Sequence, residues 1–198
     1  EFFDLHFERE LEQLGPDFEL RTELVEQMRD QAKIISPLII PGLNNHFDEF
    51  EVFSVEEKLY EKINDFSLEN LMFKGYIDLV IKTNDGKYHV IDWKTCSWGW
   101  NREKRNSKLI TYQLTLYKKF FCQKHDIKPE MVETHFALLK RTAKKDNVEI
   151  FRVTSGPKKT NNATELLHKA LINIDRKMYI KNRLSCKGCT FYKSEHCP

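Results

Sequence analysis

The 198-residue sequence predicts an α/β protein in which helices flank a central mixed β-sheet. Segments of helical and strand periodicity alternate along the chain, and a strong turn signal joins two of the strands. No internal repeat interrupts this order, and the length suits one domain with one core. We therefore expect a single domain over residues 1–198. It would comprise a helical N-terminal part (1–45), a sheet with its helix (50–155) and a C-terminal helix with a cysteine-rich tail (161–198).

The helices are predicted from apolar residues that recur three or four positions apart. Gly15-Pro16 separates the first two helices, and two prolines and a glycine make Ser36–Asn45 a predicted connection. In the last helix, Leu166 and Ile174 belong to the predicted inward face. The predicted helices are Phe2–Leu14, Glu19–Ile35, Lys108–Lys124 and Asn161–Asn182.

The strands are predicted from β-branched and aromatic residues bounded by turn residues. Asn84-Asp85-Gly86 is a strong hairpin signal between the second and third strands. Val55, Leu59 and Ile63 are spaced for one face of the first strand. The predicted strands are Glu51–Ile63, Leu71–Lys82, Lys87–Lys94, Val132–Leu139 and Val148–Val153, with a loop over Cys96–Ser107.

Composition and charge exclude several classes of protein. Hydrophobic residues make up 40% and charged residues 31%, no apolar run could span a bilayer, and no secretory signal is visible. The net charge is only +2, but Lys94–Lys159 is rich in lysine and arginine. That surface could neutralise phosphates, or it could be an ordinary solvated face. We expect a cytoplasmic protein with no membrane partner.

The residues that carry chemistry lie on the predicted hairpin. Asp92 and Lys94 are two positions apart on a strand and so project from one face, and pairing across the turn places Asp78 beside them. Two neighbouring carboxylates repel unless a cation lies between them, and oxygen ligands suit Mg²⁺ or Mn²⁺. Lys94 could then orient or deprotonate an attacking water and offset charge on a phosphate. The set predicts phosphodiester hydrolysis, whereas an isolated Asp-x-Lys would more often be a surface ion pair.

The following helix carries Gln113 and Tyr117, which lie on one face because they are four positions apart. A glutamine in an apolar stripe is costly unless its polar atoms are satisfied. A water, a phosphate or Lys94 would satisfy it. The alternative is a surface glutamine beside a core tyrosine.

These motifs resemble the RecB-like branch of the PD-(D/E)XK nucleases. The resemblance rests on Gly75-Tyr76-Ile77-Asp78, on Val90–Thr95 and on Gln113 with Tyr117, in that order. The sequence is similar to phage-encoded members and to the mitochondrial genome maintenance exonuclease. The resemblance implies a restriction-endonuclease-like core in which Asp78 and Asp92 bind the metal, Lys94 is catalytic, and Gln113 and Tyr117 support the site.

Further metal ligands are expected upstream of the hairpin. The glutamate that the family carries there would be Glu56, with Glu57 as the competing choice, and the backbone of Trp93 is another candidate ligand. The family's upstream histidine would correspond to His6 or His46.

Contacts with nucleic acid are expected just beyond the catalytic strand. Trp98 and Trp100 could stack on unpaired bases, although core packing is the commoner fate of tryptophan. Lys140 and Arg141 end a strand and could contact phosphates, which would position DNA without reading its sequence.

The last part of the chain carries a possible second metal site. Cys186, Cys189, His196 and Cys197 could hold Zn²⁺. Relatives in the superfamily often bind a 4Fe–4S cluster through a similar tail, so the resemblance also implies an iron–sulfur cluster. The third alternative is that these thiols simply pack the C-terminus.

The expected activity is that of a Mg²⁺- or Mn²⁺-dependent deoxyribonuclease. An exonuclease acting on single-stranded DNA ends or flaps is favoured by the resemblance alone. An endonuclease with the same site is the first alternative. The second is a non-catalytic DNA-binding subunit of a recombination or replication complex. The expected partners are DNA and replication or recombination proteins, in the cytoplasm of a bacterial host of a phage.

Overall fold

The computed structural model of the chain describes residues 2–14, 20–64, 70–178, 183–195 and 197. The chain divides into two units, residues 1–160 and residues 161–198. The first unit contains the whole sheet and the candidate catalytic residues. Within the described ranges, none of the helices combines the length and the apolar character needed to cross a membrane.

A five-stranded mixed sheet forms the centre of the first unit. Its strands lie in the order β1-β2-β3-β4-β5. The pair β3–β4 is parallel and the other neighbouring pairs are antiparallel. The strands are β1 (Phe50–Lys62), β2 (Met72–Thr83), β3 (Tyr88–Cys96), β4 (Val132–Lys140) and β5 (Val148–Val153). The predicted fold class and the five predicted strands are confirmed.

Five α-helices accompany the sheet in the described residues. Two of them lie between β3 and β4, because parallel neighbours cannot be joined by a tight turn. The helices are α1 (Phe2–Glu12), α2 (Thr22–Phe47), α3 (Arg102–Asn106), α4 (Lys108–His125) and α5 (Pro157–Asp175), with short 3₁₀ helices at Pro129–Met131 and Arg183–Gly188.

The two faces of the sheet are covered by different helices. On one face, Leu43 and Phe47 of α2 join a core cluster with Ile81 and Ile91 of the hairpin. Alternate strand residues point to the opposite face. There α4 covers the sheet, and Phe121 packs against Tyr88 of β3 with ring centroids 5.9 Å apart. Even-numbered residues of β3 therefore face the α4 side, and odd-numbered residues face α2.

The predicted connection at Ser36–Asn45 is wrong, because α2 continues through Pro37 and Pro41 to Phe47. A proline inside a helix costs about 3 kcal/mol through its missing N–H and its steric clash. Leu43 and Phe47 become buried against the sheet only if the helix continues. Burial of each such side chain contributes about 1.5–3 kcal/mol, so tertiary packing offsets the local penalty.

Three smaller expectations also need correction. The predicted loop after β3 contains α3, whose first turn is capped by the side chain of Asn101. Val55 is 64% exposed, although Leu59 and Ile63 are buried as predicted. On α5, Leu166 and Ile174 are exposed. Periodicity identifies an apolar helix face, but it does not specify what covers that face.

Candidate active site at the end of the β2–β3 ladder

The antiparallel hairpin places the two candidate aspartates side by side. Its ladder pairs run from Lys82–Tyr88 to Leu79–Ile91, so the next position along the same register sets Asp78 opposite Asp92. The backbone N–H of Trp93 donates a 2.7 Å hydrogen bond to Oδ2 of Asp78. A donated N–H stabilises the ionised carboxylate and fixes its orientation toward β3.

Asp92 is the more deeply buried of the two aspartates, with 2% of its surface exposed. Lys94 Nζ lies 2.6 Å from its Oδ2 and forms an ion pair with it. Burial raises the pKa of Asp92, the Lys94 ammonium opposes the rise, and the charge of Asp78 adds to it. In the absence of a bound cation, ionisation of the Asp92 carboxyl therefore costs free energy.

These carboxylates fit a divalent cation. A cation bound between Asp78 and Asp92 would offset both the desolvation of Asp92 and the repulsion between the two charges. Mg²⁺ commonly uses one or two carboxylates and completes its shell with water and substrate phosphate. A pair of neighbouring aspartates, one of them buried, is consistent with that preference.

Lys94 stands at the solvent side of this pair. Its side chain is 33% exposed and shares the strand face of Asp92. Its ammonium group therefore contacts the buried Asp92 carboxylate and can also reach a bound molecule. This is the arrangement that the Asp-x-Lys spacing predicts.

The two upstream glutamates differ in their surroundings. Glu57 already accepts from Lys124 Nζ at 2.5 Å and from His125 Nε2 at 2.9 Å, which makes it a helix-to-strand contact. Glu56 is exposed, has a left-handed backbone with φ of 51°, and lies between ladder positions that flank Asp78. Such a conformation is strained for a residue with a β-carbon, and strained residues cluster at functional sites. Glu56 remains the candidate ligand of the two.

Gln113 and Tyr117 lie together on α4, as their spacing predicts. Gln113 Nε2 donates to the Tyr117 hydroxyl at 3.1 Å. The Tyr117 ring packs against β2 at Gly75, where an added Cβ would lie 2.8 Å from Tyr117 Cε1. Gly75 therefore admits the ring three residues before Asp78. This contact ties the helix to the strand that carries the first carboxylate.

The two tryptophans after β3 have opposite environments. Trp98 is 71% exposed, whereas Trp100 is 7% exposed and packs against Phe136 and Phe151. Trp100 therefore takes the core-packing alternative, and the expectation that its ring stacks on a base is corrected. Phe136 pairs with Asp92 across β3–β4, so this packing lies on the face of the candidate site. Of the two tryptophan rings, that of Trp98 is the one exposed to solvent.

The candidate phosphate contacts at the end of β4 also differ. Lys140 is largely buried and lies 3.6 Å from a Glu149 carboxylate oxygen, so its charge is already paired. Arg141 is exposed, and its backbone N–H donates to the carbonyl of Cys96 at 2.8 Å. This bond brings Arg141 beside the end of the strand that carries Lys94. Arg141 is the better placed of the two for a phosphate.

The three C-terminal cysteines do not form a three-ligand group within the described ranges, and Cys186, Cys189 and Cys197 are not joined by disulfides. His196, the fourth expected ligand, lies outside the described residues. Zinc or an iron–sulfur cluster at this tail stays a prediction from sequence.

The two upstream histidines have different surroundings. His6 is exposed on α1, with its ring beside Phe2. His46 is near the end of α2, and its ring centroid lies 5.5 Å from that of His135. His135 is odd-numbered on β4 and pairs with Ile91, so this contact lies on the α2 face, opposite Asp92.

Sequence reasoning missed a group of buried ionisable residues on that α2 face. His89, Glu133 and His135 bring their ligand atoms within 4.8 Å of one another. The available signal was Glu133-Thr134-His135, two polar residues at strand spacing within an apolar segment. Its partner His89 could not be identified without the pairing of β3 with β4.

Comparison with known proteins agrees with this geometry. The sequence profile of the PD-(D/E)XK nuclease superfamily matches residues 3–197. Among solved structures, a candidate exonuclease from Eubacterium rectale aligns with a TM-score of 0.56 and 14% identity, over 96% of this chain and 70% of that chain. At that identity the likeness concerns the fold alone. The protein SSO0001 aligns with a TM-score of 0.45 and 16% identity, over 95% of this chain and 90% of its own. No curated protein sequence matches the chain.

Proposed function

The chain belongs to the PD-(D/E)XK nuclease superfamily, and from this premise we propose that it is a deoxyribonuclease dependent on Mg²⁺ or Mn²⁺. The observation that carries the proposal is the buried Asp92 carboxylate, with Lys94 at 2.6 Å and Asp78 beside it. A structural ion pair between Asp92 and Lys94 does not need a second, half-buried acid whose charge opposes ionisation of Asp92. A site that binds a cation and a phosphate does need a second acid.

Each residue has a role that follows from its position. Asp78 and Asp92 would hold the divalent ion, with Glu56 and the backbone of Trp93 as further candidate ligands. When bound, such an ion lowers the pKa of a water and polarises the scissile phosphate. Lys94 would orient the attacking water and offset negative charge that develops on the phosphate.

The residues around this centre would position the DNA. Gln113 and Tyr117 form a hydrogen-bonded pair that packs on β2, so they would hold Asp78 in place and offer polar atoms to a phosphate. Exposed Trp98 offers a ring on which an unpaired base could stack. Arg141 would contact the backbone nearby. These contacts favour single-stranded DNA as the substrate.

We favour an exonuclease of the RecB-like branch. The order of the three motifs supports the branch, and the Eubacterium rectale neighbour bears the name of a candidate exonuclease. An endonuclease would use the same residues, since end preference depends on the shape around the site. A binding subunit with a vestigial site is disfavoured because Asp78, Asp92 and Lys94 are all present. Lys94 contacts Asp92, and Asp78 accepts a hydrogen bond from the backbone next to it.

Cleavage of labelled single-stranded DNA tests the proposal. Linear and circular strands are incubated with the wild type, Asp92→Asn, Lys94→Ala and the exposed-lysine control Lys128→Ala, in Mg²⁺ or Mn²⁺. We expect the wild type and Lys128→Ala to degrade linear strands only. Each site variant should lose at least about 100-fold in rate, because a positioned acid–base group contributes about 10²–10⁴-fold.

The other outcomes separate the alternatives. Cutting of circular strands indicates an endonuclease. Binding without cleavage by the wild type indicates a DNA-binding subunit. Full activity of Asp92→Asn in the same buffer would refute the assignment of the site itself.

A further inference from the structure

A second group of metal-ligand side chains lies on the sheet face that α2 covers. His89 of β3 lies directly opposite Glu133 of β4, and His135 follows two positions later. Residues of equal parity on paired strands project to the same side, so all three side chains converge there. The face of Asp92 and Lys94 is the opposite one. The group is therefore separate from the proposed nuclease centre.

The distances within the group approach those of a metal shell. His89 Nδ1 lies 3.1 Å from His135 Nε2, and Glu133 Oε2 lies 4.0 Å from each nitrogen. With Zn–N and Zn–O bonds of about 2.0–2.2 Å, tetrahedral ligand atoms are separated by about 3.3–3.5 Å. The observed separations of 3.1 Å and 4.0 Å lie on either side of that value. Shifts of a few tenths of an ångström in each side chain would give the geometry of a metal shell.

The hydrogen bonds around His89 leave its inner nitrogen with a lone pair. The Thr83 hydroxyl lies 2.5 Å from Oδ1 of Asp85, and it lies 3.0 Å from Nε2 of His89. The bond from Thr83 lowers the pKa of Asp85 to about 2, so that carboxylate is ionised and can only accept. Thr83 therefore gives its proton to Asp85 and accepts from His89 Nε2–H. The neutral ring then presents an unprotonated Nδ1 to its neighbours.

His135 is equally suited to bind a cation through Nε2. It is 2% exposed, and its Nδ1 has no hydrogen-bond partner in the described part of the chain. Because His89 Nδ1 has no proton, the 3.1 Å hydrogen bond between the two rings is donated by His135 Nε2–H. Zinc at Nε2 would displace that proton, which moves to the unpartnered Nδ1 of His135. Burial, reinforced by neighbouring His89, His46 and Arg152, lowers the pKa of His135 to about 3.

Glu133 is oriented by partners outside the group. Its Oε1 lies 3.1 Å from Arg152 and 3.7 Å from Lys87, while Oε2 faces the imidazoles. Partners of this kind hold a ligand in the geometry that a metal needs. A surface pocket also reaches the rings of His46 and His89. Asp48 and Glu49 line it and would attract a cation to this entrance.

We propose that His89 Nδ1, His135 Nε2 and Glu133 Oε2 bind a transition-metal ion of the Zn²⁺ class. Two imidazoles and one carboxylate form a known zinc donor set, in which water takes the fourth position. The ion clamps the start of β3 to the start of β4, a parallel pair whose strands are joined only through a long crossover. The existence of this site does not depend on the proposed nuclease activity.

Zinc titration of the full chain tests this site. Protein freed of metal by a chelator is titrated with Zn²⁺ against a chromophoric zinc indicator, in excess Mg²⁺ so that the carboxylates of the nuclease centre are occupied. The variants are Glu133→Gln, which keeps the side-chain shape, and Thr83→Val, which removes only the hydroxyl that sets the His89 tautomer. His6→Gln, which removes an exposed histidine, is the matched control.

The variants have graded expectations. Thr83→Val should weaken zinc binding about 10–100-fold, as loss of an outer partner does, and Glu133→Gln should weaken it by at least about 100-fold. His6→Gln should match the wild type. Zinc should raise the Tm of the wild type and of His6→Gln but not that of Glu133→Gln. Co²⁺ separates this site from the cysteine tail, since thiolate ligands add a near-ultraviolet charge-transfer band that imidazole does not.

A measurement on the wild type guards against misfolded variants. Long-range ¹H–¹⁵N spectra of the imidazoles should show zinc on Nδ1 of His89 with the proton retained on Nε2, and zinc on Nε2 of His135. Unchanged imidazole nitrogens after addition of one equivalent of zinc would overturn the proposal. So would equal zinc affinity in the wild type, Thr83→Val and Glu133→Gln. The two histidines would then form an ordinary hydrogen-bonded core pair.

Discussion

Replacing Gly75 with alanine tests whether Tyr117 packs directly on the strand that carries Asp78. The new Cβ would lie 2.8 Å from Tyr117 Cε1, closer than side chains tolerate, so the ring or the strand must move. Tyr117 also accepts the hydrogen bond from Gln113, which limits where the ring can go. Overpacking of this kind typically costs about 1–3 kcal/mol.

An opposing effect makes the sign of the change informative. Gly75 does not have a positive φ, so alanine can adopt its backbone conformation without strain. At such positions alanine usually stabilises by about 0.4–1 kcal/mol, because the unfolded chain has less freedom to lose. The steric cost should exceed this gain, and we expect a net loss of about 1–2 kcal/mol in the free energy of unfolding.

A double-mutant cycle identifies the source of the loss. Urea unfolding is measured for the wild type, Gly75→Ala, Tyr117→Leu and the double variant. If the ring causes the clash, Gly75→Ala should become neutral or stabilising once Tyr117 is leucine. A gain of about 0.4–1 kcal/mol from Gly75→Ala in the wild-type background would refute the packing of Tyr117 on β2.

Three further predictions concern single side chains. Trp98→Ala should weaken binding of single-stranded DNA by about 1–3 kcal/mol while leaving the Tm unchanged, since the ring is 71% exposed; equal binding in a fluorescence titration would remove Trp98 from the DNA path. The hydrogen bond from Thr83 lowers the pKa of Asp85 from 3.8 to about 2. The ionised carboxylate therefore stabilises the fold in full above pH 3.8, and this contribution is lost as the pH falls toward 2. The Tm difference between wild type and Asp85→Asn should therefore shrink over that interval and disappear below about pH 2, and a difference that is undiminished at pH 2 contradicts the hydrogen bond. Burial raises the pKa of Cys122 to about 11, so about 0.1% of this thiol is thiolate at pH 8. A thiol reagent should therefore modify exposed Cys189 before Cys122, as followed by mass spectrometry. Early labelling of Cys122 would show that α4 opens.

The catalytic hairpin could be predicted in detail because its determinants are local. Asn84-Asp85-Gly86 sets the turn, and Gly86 adopts a φ of 80° there. Once the turn is fixed, strand parity alone places Asp78, Asp92 and Lys94 on one side. The order of the strands and the helix with Gln113 and Tyr117 followed from periodicity in the same way.

Expectations failed where long-range packing opposed a local preference. Pro37 and Pro41 indicated a break, but burial of Leu43 and Phe47 against the sheet keeps α2 continuous. Trp100 followed the catalytic strand as closely as Trp98 did, yet its ring is buried against Phe136. Sequence could not separate these two tryptophans, because exposure depends on which distant strand covers each residue.

The sequence by itself therefore determined the elements, the hairpin and the three residues of the nuclease motif, since each depends on neighbours within a few positions. Tertiary structure decided which residues meet across the sheet. His89 and His135 are 46 positions apart and come within 3.1 Å only because β3 pairs in parallel with β4. No local pattern specifies the register of that pair, which is set by how the crossover helix α4 and the helix α2 pack on the two faces of the sheet.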